Sequence, residues 1–195
     1  MVSALNLVCT SFDKLSASVT EWAGLDKGIR AYSSGRYADA IQEFSALANQ
    51  DDGYAACLLG FIYFEVKGLE QDLDKALTWF DVATRQRNTG ALVCLGYLLA
   101  GGRAGRPEYA KSAALFKDAA EQGTAEAQMN LAQFYIHGLG VPQDYEKARH
   151  WLMLAAEQEL LHAQWLLGEI YDQGLGVEAD PLQALRWQKN AAEQG

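Results

Sequence analysis

The chain has 195 residues, half of them hydrophobic and 21% charged, the make-up of an ordinary globular domain or an extended array. Its formal net charge of -9 speaks against a general nucleic-acid binder, because phosphate contacts need clustered Lys and Arg. The cysteines, Cys9, Cys57 and Cys94, form neither a CxxC nor a metal-ligand pattern, and no apolar stretch reaches membrane-spanning length.

In chain order, MVSALNLVCT lacks the basic start and long apolar core of a secretory signal, so a cytoplasmic location is expected. Residues 1–20 carry no repeat pattern and read as an N-terminal arm or helix. Within them, Ser11-Phe12-Asp13-Lys14 fits an S-x-x-K string, but no K-T-G or S-D-N accompanies it, so it is not read as a nucleophile motif. Over residues 21–53, Gly28, Tyr32, Gly35, Tyr37, Ala40 and Phe44 have the spacing of a divergent tetratricopeptide-like helix pair.

From residue 54 onward the chain repeats itself. Ala55, Ala91, Ala127 and Ala163 stand 36 apart, as do Gly60, Gly96, Ala132 and Gly168, and Tyr63, Leu99, Tyr135 and Tyr171. The register continues through Asp72, Glu108, Asp144 and Asp180, then Ala76, Ser112, Ala148 and Ala184. Trp79, Leu115, Trp151 and Trp187 follow, then Ala83, Ala119, Ala155 and Ala191. Each unit holds two helical stripes, for example Ala55, Leu58, Leu59, Ile62 and Tyr63, then Ala76, Trp79, Phe80 and Ala83. Between the stripes lie turn signals such as Gly138-Leu139-Gly140-Val141-Pro142, where Gly138 and Gly174 suit a left-handed helix end. The acidic column at Asp144 suits a helix start. The small columns let backbones approach, and the Trp79 and Tyr63 columns are expected to fill the remaining space. One helix pair cannot bury its apolar face alone, whereas stacked pairs can.

These four units resemble Sel-one-like repeats, a branch of the tetratricopeptide superfamily. The third unit carries the resemblance through Ala127, Tyr135, Gly138, Gly140, Val141, Asp144, Lys147, Ala148, Trp151, Ala155 and Ala156. The fourth does so through Ala163, Gly168, Tyr171, Gly174, Gly176, Val177, Asp180, Ala184, Trp187, Ala191, Ala192 and Gly195. The first two depart from the pattern in the loop, where Val66 and Ala104 replace glycines. The resemblance implies an all-α, right-handed α-solenoid of stacked antiparallel helix pairs, with residues 54–195 as one continuous domain.

It also implies a scaffold or adaptor that binds a protein or peptide in a concave groove lined by first helices. Such proteins include bacterial regulatory, secretion-associated and immunity-type members. The groove residues implied are Tyr54, Phe61, Phe64, Tyr97, Met129, Ile136, His137, Trp165, Glu169 and Asp172. Apolar anchors beside an acidic end suit a segment with apolar side chains and some basic character. Several of these rings could instead pack between adjacent first helices. The alternative function is an enzyme or small-ligand or metal-binding protein using His137, His162 and groove carboxylates such as Asp172. Nothing in the sequence assigns a reaction class or a cofactor. Cys57 and Cys94 read as packed thiols, and the G-x-G strings lack the preceding strand of a nucleotide fold. The sequence ends at Gly195 without a polar capping helix, so either it is part of a longer repeat protein or another chain covers this end, with self-association through the last helix as one expectation.

Overall fold

Helix follows helix because each apolar stripe recurs at helical spacing and each stretch between stripes carries a cap or a turn residue. The computed structural model describes residues 25–65, 72–101 and 106–194. Residues 1–20 with Cys9 and the S-x-x-K string, the loop positions Val66, Arg103 and Ala104, and Gly195 lie outside the described residues. Among the described residues the secondary structure is entirely helical, an α-solenoid class built of helix pairs. Two compact units divide between Tyr97 and Leu98.

The first unit contains α1 (Asp26–Ser33), α2 (Tyr37–Ala48), α3 (Gly53–Glu65), α4 (Leu73–Arg85) and most of α5 (Thr89–Ala100). Gly28 lets α1 close on α2: a Cβ there would stand 2.4 Å from Phe44, whose ring is fully buried. The same contact recurs between α3 and α4, where a Cβ on Gly60 would meet the Phe80 ring at 2.7 Å. The space-filling residue over the small column is therefore Phe80, not Trp79, which is half-buried. Asp52 starts α3 by accepting the Tyr54 and Ala55 N–H groups at 2.9 Å. Asp72 starts α4 by accepting from Lys75 N–H at 2.9 Å, and Asn88 starts α5 by accepting from Ala91 N–H at 2.9 Å.

The second unit contains α6 (Tyr109–Glu121), α7 (Ala125–His137), α8 (Tyr145–Glu157), α9 (Leu161–Gln173) and α10 (Pro181–Gln194). Its core gathers Met129, Ala132, Ala148, Leu152, Ala155, Ala156, Ala163, Leu167 and Ile170 from α7, α8 and α9. Gly138 and Gly174 end α7 and α9 in the left-handed conformation, with φ of 65° at each. The second loop glycine has a separate reason. A Cβ on Gly140 would lie 2.3 Å from the Ala110 nitrogen, and one on Gly176 2.6 Å from Tyr145 Cβ. Each loop thus lies on the start of the preceding second helix, which only a glycine permits.

Backbone hydrogen bonds carry the repeat as well. Asp72, Glu108, Asp144 and Asp180 N–H donate to the carbonyls of Tyr63, Leu99, Tyr135 and Tyr171 at 2.9–3.0 Å. The 36-residue register is therefore a register of loop geometry as well as of packing.

Candidate functional site

Two kinds of helix face emerge from the same repeat. Second helices carry the cations: in the second unit the ion pairs Lys111–Glu108, Lys117–Glu121, Lys147–Asp144 and Lys189–Glu193 all involve α6, α8 or α10. First helices carry no Lys or Arg at all in α3, α5, α7 or α9. Apart from hydroxyls and thiols, their polar side chains are carboxylates, amides and histidines. Asp72 and Asp144 are held below the ordinary carboxylate value by the hydrogen bonds from Lys75 and Lys147, whose ammonium groups are raised in turn. Those same lysines lie over the Tyr63 and Tyr135 rings, at 5.2 and 5.5 Å.

Within the first unit, Tyr54 stands 53% exposed in the first turn of α3. Phe61 is half-buried and meets Phe80 edge-on, with ring centroids 5.4 Å apart. It therefore spends one ring edge on packing. Phe64 and Tyr97 are half-buried. Cys57 and Cys94 are buried, at 5% and 6% exposure.

Within the second unit the expected residues separate. Met129 is a correction: at 3% exposure it belongs to the core, closed off where α9 packs on α7 and α8, and offers nothing to a partner. Ile136 is partly buried against the same core, and His137 is exposed at the end of α7. Trp165 is 43% exposed, Glu169 is half-buried and Asp172 is exposed, all on one side of α9. Spacings of four and seven residues put them on one stripe.

His162 belongs, with His137 and Asp172, to the alternative reading of a small-ligand or metal site. Its exposed ring stacks on Trp165, with centroids 5.9 Å apart and planes 8° apart. Its Nε2 also lies 3.4 Å from Gln133 Nε2 across the α7–α9 seam. Among the described residues no group of three or more His, Cys, Asp or Glu is placed to hold a metal ion. No described helix is long and apolar enough to cross a membrane.

Several residues of consequence escaped the sequence reading. Gln128 and Gln164 are buried and donate to the Ala120 and Ala156 carbonyls, at 3.3 and 3.2 Å, satisfying the ends of α6 and α8. The 36-residue spacing between the two glutamines was the available signal. Leu161, Leu182 and Leu185 are large and exposed, at 41%, 81% and 63%. Gln188 occupies the column filled elsewhere by Phe80, Phe116 and Leu152, and it is exposed where they are buried. That polar exception was legible in the alignment of units.

Comparison with known proteins follows this geometry. The Sel1 repeat model matches residues 53–88, 91–124, 125–160 and 161–195. The chain is similar to a crystal structure of a protective antigen from uropathogenic Escherichia coli displaying an SLR fold, at 31% identity and a TM-score of 0.82. That match covers 94% of this chain but only 40% of the other. A Sel1 repeat protein from Oxalobacter formigenes is similar at 29% identity and a TM-score of 0.82, over 88% of this chain and 70% of that one. A third, described as a sel1 repeat protein from Klebsiella pneumoniae, shares the fold at 23% identity and a TM-score of 0.56, over 95% and 92% of the two chains. No curated protein sequence matches significantly.

Proposed function

From the premise that the chain belongs to the Sel1 repeat family, we propose that it is a protein-interaction module whose first-helix face holds a segment of a partner protein. Sel1 repeat proteins are generally interaction scaffolds rather than enzymes. The observation that carries the reading is charge segregation. From α3 onward the helical cations and their ion pairs lie on second helices, while α7 and α9 present His137, Trp165, Glu169 and Asp172 with no Lys or Arg among them. An exposed aromatic among uncompensated acids suits a segment with apolar and basic side chains. Ile136, His137, Trp165, Glu169 and Asp172 are the second unit's contributors. Tyr54, Phe61, Phe64 and Tyr97 are those of the first.

Site-specific photo-crosslinking in an extract of the native cell tests this. A crosslinker at His137 or Asp172 is expected to capture a discrete partner that one at Lys117 or Glu157, exposed on second helices, does not. Equal capture from both faces, or capture from the second helices alone, removes the proposal.

A further inference from the structure

Position 90 is the exception in its column. Its counterparts in the other units, Tyr54, Glu126 and His162, all carry side chains, whereas Gly90 carries none. Among the described residues nothing asks for glycine there. Gly90 lies in the first turn of α5, outside the left-handed region. A Cβ on it would stand 3.2 Å from Asn88 Oδ1 and 3.7 Å from Cys57 Sγ and, beyond its own stretch of backbone, would meet no other described atom within 4 Å. By contrast, a Cβ on Gly28 or Gly60 would run into Phe44 or Phe80, at 2.4 and 2.7 Å. The cap does not demand glycine either. Asp52 starts α3 as Asn88 starts α5, and there the equivalent residue is Tyr54. Glycine in a helical turn costs backbone freedom, and its remaining use is to let a ligand or another chain come close.

The second unit shows what a side chain does at this place. From α9, His162 reaches across the seam to Gln133 on α7, with 3.4 Å between their Nε2 atoms, and stacks on Trp165. The corresponding seam of the first unit lies between α5 and α3, where the same positions are Gly90, Phe61 and Val93. It lacks the side chain that fills the seam between α7 and α9. Cys57 Sγ lies beneath position 90, and Gly90, Phe61 and Val93 are half-buried rather than closed off. The surroundings are also uncharged. No acidic or basic residue occurs in α5, and α3 has one, Glu65, at its last position. A charged side chain placed on this seam would lose water without meeting an opposite charge. A neutral apolar side chain instead buries its surface against Cys57, Phe61 and Val93.

Resting on the interaction-module reading, we propose that the α3–α5 seam at Gly90 receives one neutral apolar side chain of the partner segment, of leucine, isoleucine or methionine size, over Cys57 and between Phe61 and Val93.

The test uses the full chain with a photo-crosslinker in place of Val93, in an extract of the native cell, and identifies the captured residue by mass spectrometry. The expected product is a partner segment joined at or beside a leucine, isoleucine or methionine. That segment, synthesised with a fluorescein label, is expected to bind the wild-type chain at least about tenfold more tightly than Gly90→Leu, as filling a pocket requires. Replacing its apolar residue by aspartate should cost a similar factor. Gly90→Leu is expected to melt within a few degrees of the wild type, since Tyr54, Glu126 and His162 hold side chains at the same place. If it melts early, Gly90→Ala takes over, with an expected loss of about threefold. Equal affinity for wild type and the Gly90 variant overturns the proposal, as does a crosslink to a charged stretch. A crosslink to residues 1–24 of the same chain, or to a second copy, overturns it in favour of that occupant. If nothing is captured at Val93 while His137 captures a partner, this inference falls and the interaction module stands. Absence of capture at both removes the module itself.

Discussion

The left-handed residues at the turn from one unit into the next show how a repeat can hide strain. Asp51, Arg87, Gly123 and Glu159 stand 36 apart and all take positive φ, at 63°, 55°, 91° and 62°. Only one of the four is glycine, so no composition signal marked the column. A side chain in this conformation costs about 1–2 kcal/mol, offset in part by the greater freedom that glycine has in the unfolded chain. Gly123 shows that the column accepts glycine, and a Cβ there would meet nothing within 4 Å. Glu159→Gly is therefore expected to stabilise the protein by about 0.5–1 kcal/mol. Its melting temperature should rise by about 2–4 °C. A fall in melting temperature would mean that the Glu159 side chain contributes more than its backbone strain costs.

At the scale of the helix, capping decides where each element begins, and it sets a pH dependence. Asp72 and Asp144 accept from the Lys75 and Lys147 N–H groups that start α4 and α8, and both titrate below the ordinary aspartate value because of hydrogen bonds to Lys75 and Lys147. A depressed folded pKa contributes stability that is fully present above the unfolded value and is lost as pH falls through the folded one. The melting-temperature gap between wild type and Asp72→Asn/Asp144→Asn is therefore expected to be largest near neutral pH. It should narrow as pH drops below about 4, where the unfolded aspartate begins to protonate, and close once the folded carboxylates protonate as well. A gap that stays constant down to acid pH would show that the carboxylate charge contributes nothing. The acidic column read as helix starts is thus met by three of its members, since Asp180 also accepts from Leu182 and Gln183 N–H at 3.0 Å. Glu108 makes no such cap.

Across the four repeated units, the register places the helical cations on second helices and leaves α3, α5, α7 and α9 without one. The ion pairs on the second helices are exposed, and exposed pairs contribute little to stability. A basic segment held by Glu169 and Asp172 would feel salt more strongly, since screening at about 0.5 M shortens the reach of charge to a few ångströms. Raising NaCl from about 0.05 to about 0.5 M is expected to lower partner capture by crosslinkers at His137 and Asp172 several-fold. The melting temperature should move little over the same range. Capture that does not change with salt would argue that apolar contact alone holds the partner.

Much of this was legible beforehand, and for a definable reason. Helix number, order and pairing follow from apolar spacing and from columns of Ala, Gly and Asp, because these are local or repeat-periodic demands that each unit states again. Even the loop glycines were visible, although the reason for Gly140 and Gly176, a backbone lying on the preceding second helix, was not. What only the tertiary structure decided is which of two equivalent side chains faces solvent. Met129 and Trp165 occupy the same column, yet one is 3% and the other 43% exposed, because α9 covers the first. Burial of that kind depends on what packs against a helix, a property of its neighbours that no period in its own residues records.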